Sequence, residues 1–460
     1  MHHGCEVTIA ASAVIEVLRG VRDLLCARSM KSIRKIVVLG GNGTMGAGSA
    51  ALFAGRGFTT VMLARTLDKA RAGAARATKL LAARGSNAPI TVGTYGDLHE
   101  LEDADLVLEA VAEHRDIKQR VLAQVDAARG PTTIVATVSS CLSIERLCEG
   151  RSSSFRRNFL GVHLFNPPLA IVGCELIAHR ETDPGVIAVV RDFLATRLDR
   201  EVVETADRPG FAGNRIGFKV LNEVAQLAEE HGVAYMDELL GTHSGRALPP
   251  LATIDLVGWD VHRVIVNNLS ARTYDTAHDS FQIPDYMVCG IELGHLGRKT
   301  RDKGGFYKLE GSGEQARTLV LDPTNGDYHP LVRTPTAIGD AMREAIRAGD
   351  TGYRNAMAVL CGATGKDAEL LRRIVLGYIS YGLGLVGDVV ARARDVDRIM
   401  AFGFRWAPPS ALVDAIGPTR TITLLANAKL PVPAVVIQAA RHERALFDES
   451  VDTGQFFLAA

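Results

Sequence analysis

The sequence predicts an α/β fold: a doubly wound, mostly parallel sheet, followed by an all-helical C-terminal part that contains a duplicated unit. Three observations predict it. Short β-branched runs alternate with helical segments up to about residue 205, the pattern of a sheet covered by helices on both faces. The first run, Lys35-Ile-Val-Val-Leu39, opens directly into a glycine-rich turn and then a helix-compatible stretch. From Asn214 onward helical pattern follows helical pattern, and a pair of aspartates recurs with similar spacing, 18 residues from Asp237 to Asp255 and 17 from Asp397 to Asp414.

Composition narrows the function classes. At 460 residues, 47% hydrophobic and 23% charged, the chain has the makeup of a globular protein of two to four domains, which excludes fibrous and disordered classes. Lysine plus arginine equals aspartate plus glutamate at 52 each, so no charge excess points to nucleic acid or an anionic membrane. A small molecule is the expected partner. The seven cysteines (Cys5, Cys26, Cys141, Cys148, Cys174, Cys289, Cys361) are scattered, without any C-x-x-C, which argues against a disulfide framework or a metal site. Reduced thiols in a cytoplasm are the expectation. No uncharged apolar run is long enough to span a bilayer. Residues 7–25 carry Glu16, Arg19, Arg22 and Asp23 and read as a short amphipathic helix, or residues 1–29 as an optional extension.

The glycine turn runs Gly40-Gly41-Asn-Gly43-Thr44-Met45-Gly46-Ala-Gly48. Strand, tight glycine turn and helix in that order form the Rossmann-like site for a dinucleotide pyrophosphate. Gly41 is expected to permit the turn, Gly43 to let backbone approach the phosphates, and Gly46 to let helix pack on strand. The helix N-terminus at Thr44 and Met45 offers free N–H groups and the positive end of a dipole. A second strand at 59–63 ends in Ala64-Arg65, where a fold that prefers NAD usually places a carboxylate for the ribose 2′-hydroxyl. With an arginine there and no carboxylate, the reading leans to NADP(H) over NAD(H), against the alternative that Arg65 simply faces solvent.

A helix at 67–84 and strands at 90–92, 105–111 and 133–137 continue the alternation. Chemistry in such sheets gathers beyond the carboxyl ends of the strands, where Glu113 with Lys118, and Ser139-Ser140, fall. Ser143 reads as a helix N-cap. The next strand, 158–165, ends in Gly161-Val-His163-Leu-Phe-Asn166-Pro167, and Glu175 follows twelve residues after His163 in a strand at 174–177. An imidazole held in one tautomer by a carboxylate is a general-base pair if the fold joins the two; a buried core histidine is the competing reading. A helix at 184–197 and a strand at 201–204 lead to the Pro209-Gly210 breaker.

Together these motifs resemble the L-3-hydroxyacyl-CoA dehydrogenase family. The matching pieces are Gly41-x-Gly43-x-Met45-Gly46-x-Gly48, Glu109-Ala-Val-x-Glu113, Ser139-Ser140-Cys-Leu-Ser-Ile144, Gly161-x-His163-x-Phe-Asn166-Pro167, Pro209-Gly210-Phe-x-x-Asn214-Arg215, and Gly297-Arg-Lys299-Thr300 ahead of Gly305-Phe306-Tyr307. They stand in family order over about residues 31–309. The resemblance implies a catalytic set of Ser140, His163, Glu175 and Asn214, and cofactor contacts from Glu113, Lys118 and Lys299. It implies His163 as base, Glu175 as its orienter, and Ser140 and Asn214 as donors to the reacting oxygen. Two positions depart from the pattern: the family's asparagine before the serine turn is Val138, and its aspartate closing the second strand is Ala64. The segment after that strand is short, so the helical hairpin that helps hold CoA in short members is expected to be trimmed.

The implied organisation is an extension at 1–29, a dinucleotide domain at 30–208, a helical domain at 209–309, a linker with turns at 310–336 and a second helical copy at 337–460. The whole is similar to the dehydrogenase portion of larger bacterial fatty-acid oxidation enzymes, and a stand-alone dehydrogenase, monomeric or homodimeric, is expected. Counting 41 residues back from Asp255 reaches Asn214, and the same step from Asp414 reaches Arg373, so the second copy is expected to lack the asparagine and to be structural. The implied reaction interconverts (S)-3-hydroxyacyl-CoA and 3-oxoacyl-CoA with a nicotinamide cofactor. A dehydrogenase of a small non-thioester hydroxy acid such as gulonate, and a non-catalytic dinucleotide-binding protein, are the competing readings.

Overall fold

The computed structural model describes residues 32–313, 316–349, 352–447 and 452–457; the extension expected at 1–29 lies outside them. Its first half is an eight-stranded sheet: β1 Lys35–Leu39, β2 Thr59–Ala64, β3 Thr91–Thr94, β4 Leu106–Glu109, β5 Ile134–Thr137, β6 Phe159–Leu164, β7 Gly173–Ile177 and β8 Glu201–Thr205. The strand order is β3-β2-β1-β4-β5-β6-β7-β8, and every pair is parallel except β6 with β7. The central strands are mostly apolar and almost wholly buried because helices cover both faces, as parallel sheets require. The order reverses between β1 and β4, which opens a crevice beyond their carboxyl ends. One helix, Leu67–Ala82, connects β2 to β3, with Thr66 capping its N-terminus through Lys69 N.

The second half is mainly helical. The helix Gly213–His231 buries Ile216, Val220, Leu221 and Val224 on one stripe, the face that the sequence periodicity marks. Asp237 and Asp255 explain their spacing: both are buried and tie chain crossings together. Asp237 accepts from Leu251 N and Ala252 N at the start of the helix Pro250–Val257, and Asp255 accepts from Phe306 N, Tyr307 N and Trp259 Nε1. The same two roles recur in the second copy. Asp397 accepts from Ser410 N at the start of the helix Pro409–Ile416, and Asp414 accepts from Leu446 N and Phe447 N. Both copies contribute to one continuous apolar core.

Two expectations are corrected here. The segment 310–336 is more than a linker, since it carries most of a three-stranded antiparallel sheet of Tyr307–Glu310, Arg317–Leu321 and Tyr328–Pro330. Its turn residues hid the short alternating strand Arg317-Thr-Leu-Val-Leu321, whose Leu319 and Leu321 point inward. Counting back from Asp414 also misplaces the counterpart of Asn214. The second copy's long helix is Lys366–Gly384, like the first 19 residues long, so its second position is Asp367 and not Arg373. Gly232 alone joins the first long helix to the next, whereas residues 385–392 do so in the second copy. Neither residue is an asparagine.

Burial pushes the carboxyls of Asp237 and Asp397 up to about 7, over the opposing pull of the N–H groups that they accept from. Between about pH 4 and pH 7 the folded chain holds protons there that the unfolded chain has released. Stability from these groups therefore falls as pH rises through that window and is level above it. Wild type is expected to lose more stability between about pH 5 and about pH 8 than Asp397→Asn does, read from urea unfolding midpoints. Parallel curves would contradict the assignment.

Candidate active site

The glycine turn between β1 and the helix Thr44–Gly55 is built for an anion. That helix begins at Gly43 with no side-chain cap and no acidic residue in its first turn, so its N–H groups face the crevice unopposed. A Cβ on Gly43 would meet nothing closer than 3.5 Å, which leaves backbone open to a phosphate. A Cβ on Gly46 would lie 2.5 Å from Gly40 O, so only glycine lets helix and turn approach this closely. The left-handed residue of the turn is Gly40, at φ +80°, and not Gly41 as the motif suggests. Gly41 is required for packing, because a side chain there would overlap Met62. The site thus fits a dinucleotide pyrophosphate at Gly43, Thr44, Met45 and Gly46.

The side chains of His163, Glu175 and Asn214 converge with the backbone of Ser140 at one edge of the cleft. The antiparallel pairing of β6 and β7 sets His163 directly opposite Glu175. Cross-strand partners lie on one face, and His163 Nδ1 stands 2.6 Å from Glu175 Oε2. The other carboxylate oxygen accepts from Ala212 N and Gly213 N at 2.9 and 3.0 Å, which joins β7 to the first turn of the helix Gly213–His231. That helix presents Asn214, whose Nδ2 donates to Ser140 O at 2.9 Å and lies 3.5 Å from His163 Nε2. His163 is 3% exposed, and the rings of Phe165 and Phe211 flank it at 4.7 and 5.7 Å. With Nδ1–H donating to Glu175, the lone pair of Nε2 is the atom free to accept a proton. Phe165 and Phe211 flank His163 and lie inside the matched motifs, but the motifs assign neither a role.

Glu113 shapes the Ser139–Ser140 turn. It accepts from Ser139 Oγ at 2.7 Å, Ser140 N at 2.8 Å and Cys141 N at 3.1 Å. Burial opposes ionisation there, but the Lys118 charge and these donors outweigh it and hold the Glu113 carboxyl below the usual carboxylate range. Lys118 is wholly buried, with Nζ 2.9 and 3.0 Å from the two Glu109 oxygens and 3.3 Å from Glu113. Its ammonium is held inside the protein between these two carboxylates. Asp207 fixes the far side of the turn, accepting from Ser143 Oγ, Ile144 N and Glu145 N, while Ser143 caps the short helix as expected.

The remaining expected contacts are more distant. Arg65 is exposed just past Ala64, the last residue of β2. Lys299 is not brought to the cluster. It pairs with Asp260 at 2.7 Å, at the opening of the helix Trp259–Ser270, whereas Arg272 just past the other end reaches to 3.5 Å from Cys141 O. Twelve helical residues, about 18 Å, separate those ends.

Comparison with known proteins places this arrangement. Residues 35–208 match the family model described as 3-hydroxyacyl-CoA dehydrogenase, NAD binding domain, and residues 210–309 match the one described as 3-hydroxyacyl-CoA dehydrogenase, C-terminal domain. A probable 3-hydroxyacyl-CoA dehydrogenase of Bacillus subtilis is 29% identical over 84% of this chain and 51% of its own length, so the chain spans about half of that relative. A probable 3-hydroxyacyl-CoA dehydrogenase of Deinococcus radiodurans is 36% identical over 60% of this chain and 83% of its own. A 5-formyl-3-hydroxy-2-methylpyridine 4-carboxylate 5-dehydrogenase of Mesorhizobium japonicum is 31% identical over 52% of this chain and 81% of its own. The crystal structure of 3-hydroxybutyryl-CoA dehydrogenase from Escherichia coli covers 90% of this chain and 99% of its own with a TM-score of 0.64; at 20% identity this is a likeness of fold.

Proposed function

This chain belongs to the 3-hydroxyacyl-CoA dehydrogenase family, and from that premise we propose that it interconverts (S)-3-hydroxyacyl-CoA and 3-oxoacyl-CoA with a nicotinamide cofactor. The observation that carries the reading is His163 paired across the strands with Glu175, its free Nε2 turned to Asn214 beside Ser140. When bound, the cofactor supplies a hydride acceptor or donor at its nicotinamide ring. The chain's own residues handle the proton and the oxygen. In the oxidative direction His163 Nε2 takes the proton of the 3-hydroxyl, and Glu175 stabilises the imidazolium that forms while keeping the ring in place. The Ser140 hydroxyl and the Asn214 amide donate to the reacting oxygen, which carries growing negative charge in the reductive direction. Ser140 and His163 come from the sheet domain and Asn214 from the helical part, so the reaction takes place where the two meet.

A second reading keeps this chemistry and changes the substrate to a small non-thioester hydroxy acid. It is favoured by the single helix between β2 and β3, which leaves no helical hairpin to hold CoA, and by the pyridine-carboxylate dehydrogenase among the relatives. Reduction of acetoacetyl-CoA, run beside a panel of small hydroxy acids and their oxo forms, separates the two. Thioester turnover supports the first; activity confined to the small acids replaces it with the second.

For the cofactor, Ala64 and Arg65 support NADP(H), since an exposed guanidinium stands where a carboxylate would bind a free ribose. Arg65→Asp is expected to move the ratio of kcat/KM for NADPH to that for NADH at least about tenfold toward NADH, the scale of one charge-assisted pair. Tighter binding and faster turnover with NADH in the wild type would overturn this preference.

A further inference from the structure

The second helical copy contributes none of the four candidate groups, yet it touches three of them, His163, Glu175 and Asn214, at one remove. After the helix Ala393–Ile399 a π-turn, Met400–Phe404, inserts into the corner between β7 and the helix Gly213–His231. Three glycines make room for it. A Cβ on Gly173, the first residue of β7, would lie 2.6 Å from Gly403 N. One on Gly403 would lie 3.0 Å from the Phe165 ring, and one on Gly217 would overlap the Phe404 ring. Phe404 meets Phe165 edge-on, with centroids 5.7 Å apart and planes at 72°, and Phe165 lies 4.7 Å from the His163 ring. Trp406 and Phe218 hold Phe404 from behind at 5.3 and 6.4 Å. The turn therefore contacts the strand that carries Glu175, the ring beside His163, and the helix that carries Asn214, three residues before Gly217.

We propose that Phe404 is a positioning residue: acting through Phe165 and Gly217, it sets the His163–Glu175 pair against Asn214. The proposal rests on the dehydrogenase reading above for its kinetic part. The Glu175 bond fixes the tautomer and in-plane direction of the imidazole, whereas its tilt is limited only by what packs on its faces. Truncating Phe404 leaves a cavity behind Phe165 that the ring can move into, and a displacement of about 1 Å at a reacting group costs up to about a hundredfold in rate. Other contacts hold the same copy to the sheet domain: Ala206 N donates to Val389 O at 2.8 Å, Arg208 pairs with Asp388 at 2.9 Å, and Arg398 pairs with Glu201 at 3.5 Å. Phe404→Ala leaves these in place, so it removes the wedge without releasing the copy.

The test is a double-mutant cycle with an exchange measurement beside it. Phe404→Ala is expected to lower kcat about tenfold or more while KM for the cofactor stays within about twofold, and Phe404→Leu is expected to recover part of the loss. In a His163→Gln background the same truncation is expected to cost less than about twofold, because the group that it positions is gone. The amides of Ala212 and Gly213, which donate to Glu175, are expected to exchange faster in Phe404→Ala than in wild type. Equal proportional losses in the two backgrounds, or unchanged exchange at those amides, would overturn the proposal, since a merely structural residue lowers stability without coupling to His163. Should Phe404→Ala not fold, Phe404→Leu carries the same comparisons with a loss of about threefold. A wild-type enzyme inactive on every substrate would count against the proposed reaction, and the exchange measurement alone then decides the positioning role.

Discussion

His163→Gln lowers kcat at least about a hundredfold, the lower end of what a general base contributes, with KM for the cofactor little changed. Glutamine keeps polarity and approximate length but offers no group that accepts a proton near neutrality. The effect falls on kcat because His163, near the end of β6, lies beside Asn214 and Ser140, whereas the glycine turn lies at the end of β1. Nε2 is the only ring atom available, since Nδ1 is held 2.6 Å from Glu175. Steady-state kinetics of the purified variant are the check. Activity within a few-fold of wild type would remove His163 from the mechanism.

Lys118→Met destabilises the fold by about 3–5 kcal/mol, the cost of removing one partner from a buried ion pair. Lys118 is wholly enclosed between Glu109 and Glu113, and Glu109 also accepts from Thr137 Oγ1 at 2.6 Å and Val111 N at 2.7 Å. Burial opposes the Lys118 charge, but the two carboxylates raise its pKa above that of an ordinary lysine, so the ammonium is present throughout the working range. Methionine fills similar space and leaves the buried Glu109 and the partly buried Glu113 without their common cation. Thermal or urea unfolding reads the loss. The Ser139–Ser140 turn hangs on Glu113, so activity is expected to fall in the molecules that stay folded. A variant as stable as wild type would contradict this account of the network.

The parts of the protein that local pattern governs were legible in the sequence. Each expected strand of the sheet is present, with ends displaced by a residue or two, because β-branched runs between glycine and polar breaks leave little choice. His163 and Glu175 were readable as a pair only through their motif. Twelve residues of separation do not by themselves make neighbours; the antiparallel return of β7 does. What local pattern does not encode was missed. Consecutive glycines look alike: the motif points to Gly41 as the residue that permits the turn, whereas the left-handed residue is Gly40. A lysine in the opening turns of a helix reads as a solvent-facing or ligand-facing charge, and only the fold brings Glu109 beneath Lys118. The wedge at Phe404 meets Phe165 across more than two hundred residues of chain, a contact for which no spacing rule exists. The counterpart of Asn214 was misplaced because counting assumes equal loops, and residues 385–392 break that assumption.

The proposed reaction is hydride transfer to or from a 3-oxoacyl or 3-hydroxyacyl thioester. Rapid mixing of acetoacetyl-CoA with the enzyme carrying either NADPH or NADH, following the absorbance of the reduced nicotinamide, tests it directly. The predicted result is loss of reduced cofactor in the first turnover, present in wild type and slowed at least about a hundredfold in His163→Gln. Retention of the reduced cofactor with both nucleotides, under conditions where binding is demonstrated, would contradict it.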